Sequence, residues 1–220
     1  MRKNEVHGSH MSREQASDQH KQFLFLGNNL ALDLINTEIV ARGKKVDLLV
    51  TPQDAVLWWE LARETYPQII QEQEGREYSE QLVSALHVLR QELRHLLAAL
   101  IEQHQVSEHQ MKELNAILRE GYYSLEISLQ GNISAVYRAR ENQGSTILLA
   151  IARAAMDLVT TQDLSRLRAC QNERCILLFY DTTRSATRHW CSLACTNRAR
   201  SLQNYRQTKE TERAKKDGER

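Results

Sequence analysis

The chain has 220 residues, of which 41% are hydrophobic and 26% charged, a composition typical of globular proteins and not of disordered or fibrous ones. No uninterrupted apolar run approaches the ~20 residues of a membrane helix, so we expect no membrane partner. The net charge is only +1, which excludes a uniformly basic or acidic chain. A chain of this length can form one moderate core and a small appended module.

The N-terminal stretch has no positively charged segment that leads into an apolar region, as a secretion signal would. We therefore expect a cytoplasmic protein whose thiols stay reduced. Residues 8–11 read Gly-Ser-His-Met, which often remains after an affinity tag is removed. We expect residues 1–11 to be tag or disordered, and the first domain to span 12–163.

Helix signals come first along the chain. The apolar stretch 23–37 favours a helix after Asn28, and its polar residues Asp33, Asn36 and Thr37 favour a cap or a turn over a pocket. Thr51 followed by Pro52 predicts the start of a second helix, with threonine as N-cap and proline at the first position. Six leucines at spacings of three and four predict a long amphipathic helix: Leu82, Leu86, Leu89, Leu93, Leu96 and Leu100.

After this helix, the spacing of the hydrophobic residues changes. Ser107 with Gln110 indicates a capping box, and Gly121 the end of the helix that follows. Residues 124–141 alternate around Gly131-Asn132, which predicts a β-hairpin whose buried face carries Leu125, Ile127, Leu129, Ile133, Ala135, Tyr137 and Ala139. A further helix is expected from Ser145. The first domain is therefore predicted to be a helix-rich α+β domain with a small antiparallel β-sheet.

This first domain shows no nucleophile motif, phosphate loop or carboxylate cluster. We therefore expect the protein not to be an enzyme.

All the cysteines lie near the C-terminus, as Cys170, Cys175, Cys191 and Cys195. Their spacing, C-x4-C-x15-C-x3-C, allows two short turns to supply two sulfurs each to one tetrahedral ion. Such an ion would stabilise a unit of about 40 residues that is too small for an adequate core. Four protein ligands leave no open coordination position, so the predicted Zn²⁺ is structural.

Other interpretations of the cysteines fit less well. Disulfides are disfavoured by the lack of a secretion signal, and the spacing departs from that of common iron–sulfur sites. His189 could replace one ligand, although four sulfurs suffice. An apolar stretch after the first pair, followed by a helix that carries the second pair at i and i+4, predicts a treble-clef-like zinc finger.

Charge is distributed unevenly. Residues 164–220 contain 13 Lys/Arg and 6 Asp/Glu, whereas the rest of the chain contains 16 and 22. A basic segment around a small metal-bound unit suggests an anionic partner, because guanidinium groups bind phosphate in a bidentate manner. We expect a nucleic acid to be this partner, contacted by Arg184, Arg188, Arg198, Arg200 and Arg206. The alternative is that these residues form an ordinary solvated basic surface.

Several short motifs carry a family resemblance. Cys170 and Cys175, LFYD at 178–181, Arg188, and WC and CTNR at 190–198 resemble the CGNR zinc-finger family. Upstream, LALDLINTE at 30–38, DLL at 47–49 and the proline-started helix with its tryptophans resemble the ABATE domain that accompanies that finger.

This resemblance implies a stress-induced bacterial transcription regulator, with a DNA-binding finger whose zinc ligands are the four cysteines. It adds Asn197, beside Arg198, to the expected DNA contacts. Thr196 stands where the family motif has glycine, and would be harmless only in ordinary helix.

Together these features predict a DNA-binding regulator. Its N-terminal domain would sense a small-molecule effector or form a homodimer, and residues 164–209 would be the finger. The alternative is a protein-interaction module in which zinc stiffens a platform for an acidic partner, without DNA contact. Residues 210–220 are expected to form a charged, disordered tail, and the leucine-rich helices to survive removal of the metal.

Overall fold

A computed structural model describes residues 23–68, 78–103, 105–127, 131, 133–140 and 146–218. The predicted tag at 1–11, Leu129, Asn132 and Ser145 lie outside the described residues. Over the rest, the fold is α+β, with helices and three two-stranded antiparallel sheets. No helix in these ranges is both long and apolar enough to cross a lipid bilayer.

The centre of the core is a short buried helix, α1 (Leu30–Ile35), in which every residue is buried. The helix begins after Asn29, whose side chain accepts hydrogen bonds from the backbone N–H groups of Ala31 and Leu32. This confirms the predicted helix after Asn28. A hairpin follows, formed by β1 (Glu38–Ala41) and β2 (Lys44–Asp47), with Ala41 opposite Lys44.

Two longer helices follow along the chain. Helix α2 (Pro52–Thr65) begins with the predicted Thr51 cap, completed into a capping box by Asp54, and it buries both Trp58 and Trp59. Helix α3 (Glu80–Gln103) is the predicted leucine helix. Its leucines face α1 and the next two helices, α4 (Lys112–Arg119) and α5 (Thr146–Thr161).

The second hairpin confirms the predicted strands but not the predicted buried face. It consists of β3 (Gly121–Ile127) and β4 (Ile133–Ala139), with Ile127 opposite Ile133. Leu125, Ile127 and Ile133 are 78%, 73% and 69% exposed. The hairpin contacts α4 and α5 near its base, whereas these residues lie toward the turn. Among the described residues of the hairpin, the buried one is Val136, on the opposite face. Helix α4 ends at Arg119 with Glu120 as its C-cap, so the predicted Gly121 follows directly after the helix and begins β3.

The C-terminal unit consists of β5 (Leu167–Ala169), β6 (Leu178–Tyr180) and the long helix α6 (Leu193–Gly218). Residues 210–218 are helical, so the expectation of a disordered tail was wrong over that range. The physical reason is composition: six of these nine residues are glutamate, lysine, arginine or alanine, which favour helix. Glycine occurs only at position 218, where the helix ends.

The finger sheet β5–β6 docks on the first domain. Leu167 and Leu178 belong to the same hydrophobic core as α1 and α3. The side chain of Asn36 donates to the carbonyl of Leu178 at 2.8 Å and accepts from its N–H at 3.0 Å. Arg94 on α3 donates to the carbonyl of Ile176 at 3.0 Å and to that of Ile35 at 2.8 Å. The two predicted units therefore share a core. Because of this shared core, we now expect removal of the metal to destabilise the leucine-rich helices as well, contrary to the expectation that they stay largely intact.

Candidate metal centre and nucleic-acid interface

The four cysteine sulfurs converge on one point. Cys170 and Cys175 lie in the turn between β5 and β6, Cys191 lies just before α6, and Cys195 lies in the first turn of α6. All four Sγ atoms lie within 4.8 Å of one another. The hairpin strands therefore flank the first cysteine pair, and Cys191 precedes the helix in which it was expected.

The sulfur geometry fits zinc. Zn–S bonds of about 2.3 Å in a tetrahedron place the sulfurs about 3.8 Å apart. The Cys175–Cys191 and Cys191–Cys195 Sγ distances are 3.8 Å and 3.6 Å. The same distances exclude disulfides, whose sulfurs lie about 2.05 Å apart, and all four cysteines are free thiols. His189 is exposed and outside this group. These residues form a structural zinc site.

The thiols cannot all ionise without a cation. Hydrogen bonds from Cys175 and Cys191 lower the pKa of Cys170 to about 2. The same hydrogen-bonded contact with Cys170 raises the pKa of Cys175 to about 12 and also raises the pKa of Cys191. A divalent ion removes this conflict, because it stabilises thiolates and releases their protons.

Polar residues next to the cysteines hold the two pairs in place. Asn172, which is buried, donates from its side chain to the carbonyl of Cys195 at 3.1 Å, so it ties the first turn to α6. Ser192 caps α6: its Oγ accepts from the N–H of Cys195 at 3.3 Å. Thr196 donates to the carbonyl of Ser192 at 3.1 Å within ordinary helix. The threonine in place of the family glycine is therefore compatible with this backbone.

The loop between β6 and Cys191 is organised by one buried carboxylate, Asp181. It accepts hydrogen bonds from the N–H and hydroxyl of Thr183 at 2.9 and 2.6 Å, and from the N–H of Arg188 at 2.8 Å. Burial opposes ionisation of Asp181, but these hydrogen bonds hold its pKa below the ordinary value. Asp181 lies within the LFYD motif, but its role as the centre of this loop was not predicted from sequence.

Arg188 is part of this scaffold. Its guanidinium donates to the carbonyls of Trp190, at 2.8 Å, and Cys191, and it stacks 4.7 Å from the ring centre of Phe179. The side chain is half-buried. It therefore supports the backbone that carries Cys191, whereas the sequence analysis expected it to face DNA.

An open groove of about 540 Å³ runs between the first cysteine turn and α6, and we call it the α6 groove. Its wall combines apolar side chains with arginines: Trp190, Leu202, Tyr205, Arg174, Arg198 and Arg206. Arg206 also forms an exposed ion pair with Glu173 at 2.9 Å. Such pairs contribute little to stability and exchange readily for another anion.

The structure separates the remaining predicted DNA contacts. Arg198 and Arg206 lie in the α6 groove, whereas Arg184, Asn197 and Arg200 are exposed outside it. Sequence reasoning missed Arg174, which also lines the groove. Its position between Cys170 and Cys175 was the only available signal.

Helix α1 carries a buried acid, Asp33. Asp33 accepts hydrogen bonds from the N–H of Gly27, at 2.7 Å, and from the hydroxyl of Tyr66. Burial raises the pKa of Asp33 to about 7, and the hydrogen bonds from Tyr66 and Gly27 offset only part of that effect. The residue fixes the chain that enters α1, in agreement with the predicted structural role.

Comparison with known families now adds to the geometry. The family model ABATE, described as "Putative stress-induced transcription regulator", matches residues 28–162, which is more than half of the chain. The chain belongs to the ABATE family. A second model, the CGNR zinc finger, matches residues 166–208 of this ABATE protein and includes all four cysteines. Neither family is described as an enzyme family. A search of curated proteins found no match.

Proposed function

We propose that this protein is a cytoplasmic transcription regulator that binds duplex DNA through its zinc finger. The observation that carries the proposal is the α6 groove, where arginines flank aromatic and aliphatic side chains beside a closed metal site. A four-sulfur site has no position for substrate or water, so the ion supports binding and not catalysis.

The structure divides the arginines of the finger into two groups. Arg166, Arg168 and Arg188 donate to backbone carbonyls within the finger. Arg184, Arg198 and Arg200 are exposed, and no ion pair to them occurs among the described residues. We assign phosphate contact to this second group, because a guanidinium without a carboxylate partner is free to bind an anion. We add Arg206 and Asn197, which lie on α6 with Arg198 and Arg200; the exposed ion pair of Arg206 with Glu173 exchanges readily for a phosphate.

A gel-shift assay with a pool of genomic fragments tests this proposal. Zinc-loaded protein should shift the fragments at 50 mM salt and far less at 200 mM, because each neutralised phosphate releases counterions. Arg198→Ala should weaken binding, whereas Arg119→Ala, which removes the same charge from the exposed surface of α4, should not. Absence of a shift at either salt concentration would contradict DNA binding. Co-purification with an acidic protein but not with DNA would favour the alternative interaction module.

The N-terminal domain has one feature that supports a role in dimerisation. Leu125, Ile127 and Ile133 form an exposed apolar face at the end of the β3–β4 hairpin. Exposed apolar patches and exposed edges of β-sheets both tend to pair with another chain. We propose a homodimer through this hairpin, and light scattering of Ile127→Lys should then report a monomer. A small-molecule effector stays a prediction.

A further inference from the structure

Three arginines from separate parts of the chain line one cleft of about 730 Å³. Arg42 lies at the tip of the β1–β2 hairpin, Arg174 lies between the first two cysteines, and Arg198 lies on α6. The remaining lining residues are small or apolar and belong to the same hairpin: Val40, Ala41 and Gly43. We call this space the arginine cleft. It joins the N-terminal domain to the finger.

The three guanidinium groups lack acidic partners. In the ranges that the structure describes, no ion pair involves Arg42, Arg174 or Arg198, and all three are exposed. Elsewhere in the same ranges, arginines do have carboxylate partners: Arg90 binds Asp47, and Arg206 binds Glu173. Three like charges around one cleft repel one another unless an anion enters. The arrangement therefore favours a phosphate group.

Arg42 occupies the turn of the β1–β2 hairpin. Arg42 and Gly43 both have positive φ, 51° and 78°, which is the backbone of a tight two-residue hairpin turn. Asparagine or glycine is the usual residue at the first of these positions, and a long side chain there is uncommon. Among the described residues, no hydrogen bond or ion pair of the Arg42 side chain accounts for an arginine at this position, whereas phosphate binding would.

We propose that the arginine cleft binds the phosphodiester backbone of duplex DNA, so that the N-terminal domain shares in the DNA interface. This inference rests on the proposed function of the finger. A polymer is favoured over a free phosphate because Arg174 and Arg198 line both the arginine cleft and the α6 groove. The two spaces thus share two of their lining arginines, so a ligand that contacts both must extend beyond a single phosphate.

The test compares full-length, zinc-loaded protein with Arg42→Asn. Asparagine tolerates positive φ, so this variant removes the charge and keeps the turn. Arg119→Asn is the matched control, since it removes one positive charge outside both spaces. Fluorescence anisotropy with a labelled duplex of random sequence, measured between 50 and 300 mM salt, gives the affinity and its salt dependence.

Loss of one phosphate contact should reduce the slope of log K against log salt by about 0.9. If the variant and the wild-type chain bind equally at 1 M salt, this difference in slope makes the variant bind about fivefold more weakly at 0.15 M salt. Arg42→Asn should show both changes, equally for duplexes of different sequence, and Arg119→Asn should show neither.

The outcomes separate this inference from the proposed function. If the wild-type chain does not bind DNA, both fail. If the wild-type chain binds and Arg42→Asn matches it in affinity and slope, the shared interface is wrong and the finger alone binds DNA. Calorimetric binding of inorganic phosphate that depends on Arg42, combined with unchanged DNA binding, would also overturn the inference, because the cleft would then be a site for a free anion. Melting temperatures within about 2 °C of wild type would show that both variants are folded.

Discussion

Replacement of Asn36 by alanine tests how firmly the finger is attached to the first domain. Asn36 is fully buried, and its side chain satisfies both the N–H and the carbonyl of Leu178. Alanine leaves both backbone groups buried without a partner, and each such loss costs about 1–3 kcal/mol. We expect Asn36→Ala to lower the free energy of unfolding by about 2–6 kcal/mol, which corresponds to a melting temperature lower by roughly 4–24 °C.

Urea unfolding of zinc-loaded protein, followed by circular dichroism, measures this change. Asn28→Gly is the matched control. It removes a hydrogen bond of 3.1 Å from an exposed asparagine to the carbonyl of Tyr180, on the same strand, and glycine accepts the positive φ of 57° at that position. The control should cost less than about 1 kcal/mol, because exposed hydrogen bonds exchange with water. Equal losses in the two variants would refute the argument that the buried asparagine anchors the finger.

Three further changes test other parts of the structure. Burial raises the pKa of Asp33 from 3.8 to about 7. Between pH 4 and 7, Asp33 therefore keeps its proton in the folded state and loses it in the unfolded state. The free energy of unfolding should fall by roughly 4 kcal/mol as pH rises through that window. Asp33→Asn should remove this slope in urea unfolding at several pH values, and an unchanged slope would assign it to other groups. In Gly27→Ala, the new Cβ would lie 2.5 Å from Leu32 Cβ, so we expect a loss of about 1–3 kcal/mol, and wild-type stability would show that the chain can shift there. Arg188→Ala should weaken zinc binding about 10- to 100-fold in a competition assay with a chelating dye; a loss of DNA affinity with unchanged zinc affinity would instead support the predicted DNA contact.

The helices could be predicted because their signals are local. Thr51 and Pro52 define the start of α2, and the leucine spacing defines α3. Capping and periodicity depend on residues within one or two turns, so they can be recognised without knowledge of the tertiary structure. The zinc ligands were predictable for the same reason, since each cysteine pair lies within one turn of chain.

The orientation of the β3–β4 hairpin could not be predicted. Alternation identifies the two faces of a strand, but it does not show which face becomes buried or how far the packed helices extend along it. Among the described hairpin residues, the buried one is Val136, on the face opposite to the predicted one. Tyr137 lies near the base, where its hydroxyl donates to the carbonyl of Leu118 at 2.6 Å. Ile127 and Ile133, on the same face but near the turn, extend beyond α4 and α5.

The site was predictable only in part, because its remaining residues are distant in sequence. Arg42 and Arg198 are separated by 156 positions, yet both line the arginine cleft. Charge counting located the basic segment, but it could not distinguish Arg188, which supports the zinc loop, from Arg198, which is exposed. That distinction depends on the hydrogen bonds of the folded chain.

The most direct test of a zinc-dependent DNA-binding finger is anisotropy of one labelled duplex with a single preparation in three states. The protein is measured as zinc-loaded chain, after removal of the metal by a chelator, and after zinc is added back. We expect saturable binding in the first state, loss of binding in the second and recovery in the third, because the ion holds the turn that carries Arg174 against α6, which carries Arg198. Equal affinity with and without the metal would contradict the account.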